Sequence, residues 1–598
     1  MPIGGFLGFT MVLKTLISCC ILLGVVDESS QPPCAIVLTD VREAAGIDFE
    51  HYGERHRWCE IGPQVEGIAT NEEIPEGLFE NPYEFANRHL VRMNGSGAAW
   101  IDVENDGDYD LYLVNGAGGP ETTNALYLNL GDGTFEPALK VCGVLDDGEG
   151  MAVSVADYDN DGFSDLMVMN YGDFVLYHNN GDGTFSNVTA TAFPDGIDQI
   201  WYGGSSWGDF DGDGNLDVYV AGYVDLSRNR GNKGLRFPMD FDGYANRLFH
   251  NNGDGTFTDI ADAAGVADGF RKSMQILVAD FNDDNRPDIL VGNDTDPNGL
   301  YLNRGDGTFK EFSGPSGLSS TDGSMGITWG DYNNDQMMDL YISNYTGEAD
   351  LLLTMIDNTS SNDGKTKNAI FMADFGSPIV QQSTWSLVGW GTGFVDLDND
   401  GDLDLFVAGG HLNGVSGDNR DFNVLFENKG DGTFVNASEA SGVLKPGKRI
   451  HRATIFGDYD NDGRIDFYVV NNGEESYNDD SDRHGVLLHN DSQSGNHWLK
   501  VRLQGTKSNR DAFGTKLKLV AGDKTQIREH VSGEGYFSSN AQEVHFGLGE
   551  ATTIDTLTIT WPTGKSQTLS NVQVDQTLEL VEPHNEGLIR KFGSYLLN

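Results

Sequence analysis

Cysteine is scarce, with five residues in a chain of 598. Cys19 and Cys20 fall in an N-terminal apolar run, which leaves Cys34, Cys59 and Cys142. Three thiols make no disulfide scaffold, although Cys34 and Cys59 could pair within the N-terminal segment. Positive charge is equally thin: 38 Lys and Arg stand against 92 Asp and Glu, for a net charge of −54. Such a chain does not seek nucleic acid or an anionic membrane surface. Also missing are a nucleophile elbow, a zinc-spaced His/Cys set and a Gly loop that cradles phosphate. Long apolar runs are absent but for one. Residues 11–26, MVLKTLISCCILLGVV, place one positive charge before about a dozen apolar residues, the outline of a signal peptide. No A-x-A cleavage site follows it. LISC at 16–19 has the form of a lipobox with Cys19 lipidated, and residues 3–26 are long enough to anchor in a bilayer. Residues 1–33 are expected to be a signal peptide or N-terminal anchor, and the protein to be secreted or held at the cell surface.

Aspartate and glycine are what the chain has instead. VADYDNDGFSDLMVMN (155–170) sets Asp157, Asp159, Asp161 and Asp165 at positions 1, 3, 5 and 9 of a loop, with Gly162 at the turn. Carboxylates this crowded repel one another unless a hard cation sits among them. Ca²⁺ takes six to eight oxygens, and alternate residues of a tight loop can deliver them. The backbone carbonyl of Phe163 completes the set from position 7. An apolar strand follows rather than a helix, so the loop is not an EF-hand.

The frame recurs six more times. It reads Asp102-Glu104-Asp106-Asp108-Asp110, Asp209-Asp211-Asp213-Asn215-Asp217, Asp280-Asn282-Asp284-Asp288 and Asp331-Asn333-Asp335-Asp339. It reads again Asp396-Asp398-Asp400-Asp402-Asp404 and Asp458-Asp460-Asp462-Arg464-Asp466, where Asp402 and Arg464, like Asp108 and Asn215, stand at position 7. Asn285 and Gln336 replace the turn glycine in the fourth and fifth loops, which also carry Asn at position 3 and are expected to bind more weakly. Loops that begin every ~50–70 residues mark a propeller or solenoid.

Between them runs a second phrase, LYLNLGDGTF at 126–135, LYHNNGDGTF at 176–185 and three close variants, which describes a β-hairpin. Each unit thus reads as strand, calcium loop, strand, hairpin, the content of one blade. The prediction is an all-β fold: a seven-bladed β-propeller over residues 34–492. LTDVREAAGI at 38–47 copies the segment that follows each hairpin, yet no hairpin precedes it. The last unit arrives at GVLLHN (485–490) and lacks the hairpin's end. Residues around 36–42 are expected to supply its outer strand and close the ring.

After about residue 492 the period stops, and short alternating strands follow to about 584, with a tail at 585–598. This stretch reads as a separate small sandwich-like β-domain. Its segments NHWLKVRLQGTKSNRDAFGTKL, SGEGYFSS, VHFGLG and WPTG resemble the domain of the ASPIC/UnbV (acidic secreted cartilage protein-like) family, and the repeats resemble its FG-GAP/VCBS units, related to the integrin alpha propeller. The resemblance implies an extracellular calcium-binding propeller for adhesion or ligand recognition.

Three insertions break the repeat: 223–247, 345–369 and 409–424. The first gathers Arg228, Arg230, Lys233 and Arg236 in a chain poor in cations, a candidate contact for a protein or glycan ligand of the cell surface or matrix. All three are expected to emerge opposite the calcium loops, as binding loops on a rigid scaffold do. Arg304-Gly305-Asp306 is a variant of the hairpin turn, and His411 reads as structural. The function expected is non-catalytic recognition. The alternative is a secreted propeller lyase or glycosidase acting on polysaccharide, with its acid–base pair assembled across blades.

Overall fold

The computed structural model describes residues 35–51, 91, 93–116, 122–229, 237–356, 369–374, 376–412, 420–473 and 483–583. The N-terminal apolar run, Cys34, Cys59, Arg230, Lys233 and Arg236 lie outside them. Among the described residues seven four-stranded antiparallel sheets repeat one plan before residue 492. Their first strands are Ala98–Ile101, Gly150–Ala156, Tyr202–Gly208, Ser273–Ala279, Ile327–Gly330, Gly389–Val395 and His451–Gly457. Each packs against the first strand of the next sheet, and the seventh packs back against the first.

An acidic loop then turns the chain, and its ninth residue opens the second strand: Asp110, Asp165, Asp217, Asp288, Asp339, Asp404 and Asp466. Register is constant, since the residue before each loop pairs with that ninth residue, as Ala156 does with Asp165 and Gly457 with Asp466. Every position of the second strands is buried, which suits strands covered on both faces. The apolar cores lie between neighbouring sheets. One joins Ile101, Tyr112 and Leu126 to Val153, Val168 and Phe185, and another joins Tyr332 and Tyr341 to Leu405 and Phe426. After the fourth strand, the phrase with Ala-Ala-Gly-Val makes one helical turn, Ala261–Ala264, ended by Gly265 at φ 78°, and it drops Val266 into the core.

Sheet seven is completed from the N-terminal side. Leu38–Asp40 pairs with Val486–Asn490, in the order Leu38–Asp40, Val486–Asn490, Asp466–Asn471, His451–Gly457. Ala45, Ile47 and Phe49 then enter the core between sheets one and seven with Trp100, Tyr127, Ile455 and Tyr468. This is the pairing expected for residues 36–42.

One insertion differs from expectation. Leu351–Met355 is a regular third strand inside the stretch 345–369, paired with Asp339–Ile342 and with Phe371–Ala373. The long excursion of that unit therefore joins strands three and four, the end that carries the acidic loops. Without the Gly-Asp-Gly turn, LLLTM gave no hairpin signal. The stretches 223–247 and 409–424 do join strands two and three, and the first adds a small ribbon, Val224–Asn229 with Phe241–Gly243.

Seven more strands, from His497–Gln504 to Gln576–Val581, form a three-stranded and a four-stranded sheet around Leu499, Leu517, Phe546, Leu557 and Trp561. They are packed onto the acidic-loop end of the seven sheets, within one compact unit from Ala35 onward. Between Lys524–His530 and Val544–Gly549 the chain threads between the first strands of all seven sheets. Ser532 Oγ accepts Trp207 N–H at 3.2 Å, Gln275 Nε2 donates to Gly533 O at 2.6 Å, and Gly535 exchanges backbone hydrogen bonds with Ile327. Val153 N–H donates to Phe537 O, Ser539 pairs with Ala98 and Trp100, Ala541 N–H donates to Phe456 O, and the Tyr536 ring meets Trp390 edge-on at 5.1 Å. Gly97 permits this approach, because a Cβ there would lie 2.0 Å from Phe537 O. Among the described residues no helix is long and apolar enough to cross a membrane.

Candidate metal centre

Each acidic loop is held by its own carboxylates. Asp157 accepts the N–H of Asp161 on one oxygen (3.0 Å) and of Gly162 on the other (2.8 Å). Asp102, Asp209, Asp280, Asp331 and Asp458 repeat the pattern, and Asp396 takes Gly401 N–H at 2.8 Å. Position 5 accepts the N–H of position 7, as Asp161 does from Phe163, Asp213 from Asn215 and Asp462 from Arg464. Position 9 binds the third strand: Asp165 takes Asn179 N–H at 2.7 Å, and Asp404 takes Asn428 N–H at 2.9 Å. Glycine at position 6 has φ of 103° at Gly162 and 93° at Gly401, whereas Asn285 and Gln336 adopt 61° and 67° there, a region that asparagine tolerates and glutamine disfavours.

Burial, then neighbouring carboxylates, push these groups upward. Asp157, Asp209, Asp398 and Asp458 reach about 7, and Asp110 about 8. Asp288, Asp396, Asp404 and Asp466 are raised well above the ordinary range for the same reasons. Asp339 of the fifth loop is pushed up to about 9, again by burial first, so all seven sites hold more negative charge than they can keep ionised alone. Asp157, Asp159 and Asp161 bring one oxygen each within 4.8 Å of the others, as do Asp209, Asp211 and Asp213. Asn282 Oδ1, Asp396 Oδ1 and Asp466 Oδ2 are buried acceptors without a partner. An all-oxygen donor set with unpaired buried acceptors fits a hard dication.

Side chains at position 7 turn elsewhere. Asp108 accepts from Asn461 Nδ2 (2.7 Å), Asp402 from Asn334 Nδ2 (2.5 Å), and Asn215 Nδ2 donates to Asp213 (3.0 Å). The Arg464 guanidinium bonds Asp462 and Asn490 O. In the fourth and fifth loops, Asp284 is bonded by Arg286, while Asn333 Oδ1 accepts Asp335 N–H at 2.9 Å. Glu104 and Asp106 are exposed in the first loop, and burial first of all raises the Glu104 carboxyl.

Sequence reasoning missed three features here. Histidines of the third strand face three loops: His178 lies 3.3 Å from both Asp159 and Asp165, His250 3.0 Å from Asp217, and His489 3.0 Å from Asp460. The signal was the residue before the repeated Asn in LYHNN, LFHNN and LLHN. That Asn itself ties sheets together, since Asn179 Nδ2 donates to Val103 O, Asn251 to Tyr158 O and Asn129 to Tyr459 O, one loop back. Third, basic residues of the C-terminal strands and of the connection 505–514 reach the loops. Lys500 Nζ is 2.7 Å from Asp458, Lys516 Nζ 2.7 Å from Asp280, Lys524 Nζ 3.1 Å from Asp402 and Arg510 Nε 3.4 Å from Asp157. Of the basic cluster in 223–247, Arg228 is described: it is exposed, pairs with Asp225 at 3.1 Å and lies over Phe270. His411 Nε2 pairs with Asp421 at 3.3 Å.

Residues 102–168, 157–220, 239–291, 280–342 and 396–469 match the FG-GAP-like repeat, and 505–587 match ASPIC and UnbV. Cartilage acidic protein 1 of Homo sapiens is 26% identical over 547 residues, covering 87% of this chain and 76% of that one. Its Mus musculus counterpart is 26% identical, covering 87% and 77%. Among solved structures, an Agrocybe aegerita lectin that recognises non-reducing terminal N-acetylglucosamine shares 20% identity at a TM-score of 0.35, over 57% of this chain and 78% of that one. YCF48 bound to D1 peptide shares 10% at 0.34, over 66% and 91%. The chain belongs to the family that joins FG-GAP-like repeats to an ASPIC and UnbV domain.

Proposed function

We propose that this is an extracellular calcium-binding recognition protein: a seven-bladed propeller over residues 34–492 followed by an ASPIC/UnbV domain at 493–584. One observation carries the calcium reading. Seven equivalent loops present oxygen donors, and buried acceptors at Asn282, Asp396 and Asp466 have no partner. Positions 1, 3, 5 and 9, with the carbonyl of position 7, would hold the ion, which when bound supplies the positive charge these carboxylates lack. The chain's own part is to fix the loop: position 1 clamps the turn and position 9 ties it to the third strand. Metal therefore acts on stability and shape rather than on bond making. The carboxylates that could serve a glycosidase are committed to backbone N–H groups, which supports a non-catalytic reading.

Recognition is assigned to the end opposite the loops, where strands two and three are joined, because the loop end is covered by the C-terminal sheets. Arg228, exposed beside the exposed ring of Phe270, is its described positive spot, and Arg230, Lys233 and Arg236 extend it in sequence. A protein or glycan ligand suits that chemistry. Removal of calcium with excess chelator should lower the melting temperature and abolish protease resistance. An unchanged melting curve overturns the calcium reading, and depolymerisation of any polysaccharide overturns the non-catalytic one. A glycan array with Arg228→Glu tests the surface, with loss of binding expected at an unchanged melting curve.

A further inference from the structure

The C-terminal strands and the connection 505–514 meet every acidic loop, at its first residue in the second, fourth and seventh loops and at positions 5 to 7 in the others. Lys500 Nζ, fully buried, contacts Asp458 Oδ2 at 2.7 Å, Asn461 Oδ1 at 2.9 Å and Glu543 at 3.2 Å. Lys516 repeats this geometry at the fourth loop, on Asp280 Oδ2 and on Asp283 at 2.6 Å, while Glu529 accepts Asp280 N–H at 2.9 Å. Asp511 accepts Asp157 N–H at 2.8 Å, and Arg510 N–H donates to Asn160 Oδ1. Arg502 donates to Gly107 O, Lys518 to Gln336 Oε1 and Lys524 to Asp400 O, and Lys507 O lies against Gly214 of the third loop. The same strands carry the segment 531–543 that runs between the inner strands, with Tyr536 and Phe537 buried.

These cations do not stand in for the metal. Lys500 and Lys516 bond Oδ2, the oxygen that also takes the position-6 N–H, while Oδ1 takes the position-5 N–H. A loop with four aspartates stays negative after binding one dication, so the metal and the cation of the C-terminal strands act together. What the metal adds is a fixed loop. Without it the carboxylates repel, and the loop atoms on which these contacts depend lose their positions.

We propose that the C-terminal domain is a plug latched by metal: its cations lock only onto ordered loops, and loss of the ion frees the segment 531–543 while the seven sheets persist. This rests on the calcium reading above. Release would uncover the inner strands and the aromatic ring of Trp390, which Tyr536 now meets.

Hydrogen exchange of the full chain tests it, with calcium content measured on the same samples. The amides of Gly535, Ser539 and Ala541, bonded to Ile327, Ala98 and Phe456, report the plug. The amides of Ile289–Val291 in a second strand report the sheets. After chelation the plug amides should exchange at least about ten-fold faster, with the strand amides unchanged and full recovery on adding calcium. Calcium that leaves without any change at the plug overturns the latch and spares the calcium reading. Joint loss of plug and strand protection overturns it as well. A chain that never held calcium overturns both.

A Lys500→Met, Lys516→Met variant at saturating calcium should show the same fast plug exchange with undiminished calcium content. Persistent protection there overturns the latch. If that variant does not fold, Arg510→Ala with Lys524→Ala, at more exposed positions, serves instead with the same two outcomes.

Discussion

At the scale of single residues, the acidic loop is a problem in backbone handedness. Positions 4 and 6 both lie in the left-handed region: Asn160 has φ 61° and Gly162 103°, and Asn461 has 58° and Gly463 88°. Asparagine tolerates this conformation and glycine meets no penalty, so the Asn-Asp-Gly spelling is a backbone requirement as well as a ligand pattern. The glycine role was legible in the sequence and so was its loss at Asn285 and Gln336. The role of position 4 was hidden, because Asn looked like one more polar turn residue. Gln336 stands at φ 67° with no local compensation beyond its bond to Lys518. Gln336→Gly should therefore raise stability by about 1 kcal/mol in a urea titration at saturating calcium. The same change should tighten the fifth site in a calorimetric calcium titration. The fourth and fifth loops, with Asn at position 3, should otherwise fill last. Strong density at Asp280 and Asp331 alone, at limiting calcium, contradicts that order.

At the scale of elements, the hairpin phrase announced the third and fourth strands, and its loss concealed Leu351–Met355. What no single unit could reveal is the cross-link from sheet to sheet, since the partner lies one repeat away. Asn490 Nδ2 donates to Leu397 O at 2.7 Å and to Ile465 O at 3.1 Å, wholly buried. Asn490→Leu would strand both carbonyls and should cost about 2 kcal/mol or more in chemical denaturation. Glu582 gives a second handle, within the C-terminal sheets. Burial would raise its pKa, but the Thr563 hydroxyl and the N–H groups of Ser508, Thr506 and Lys507 outweigh burial and hold it at about 2. A carboxyl depressed in the folded state stabilises fully above its ordinary 4.5 and loses that contribution as pH falls toward 2. The stability difference between the protein and Glu582→Gln should accordingly shrink from pH 4.5 to pH 2. A difference flat across that window would show that Glu582 holds the 506–508 turn by shape alone.

For the whole molecule, a chain of net charge −54 stays folded by joining sheets in a circuit whose ends must meet. The displaced copy of the post-hairpin phrase at 38–47, together with the truncated last unit, made that joint legible in the sequence. The C-terminal plug was not legible, because its contacts are made one loop at a time by lysines and arginines with no period of their own. The joint itself consists of Leu38–Asp40 on Val486–Asn490, flanked by Val41 N–H to Leu487 O and Asp491 N–H to Val37 O, both in the range 2.8–2.9 Å. Leu38 and Ile36 are fully buried there. Deleting residues 1–43 would leave Val486–Asn490 as an open edge, able to pair with another chain. Such a protein should melt several degrees lower and show concentration-dependent association in sedimentation. Val41→Pro removes one bond of the joint and should cost about 1 kcal/mol without association. A truncated chain that melts and sediments like the intact one would mean that the inner strands alone close the circuit, with the outer strand as ornament.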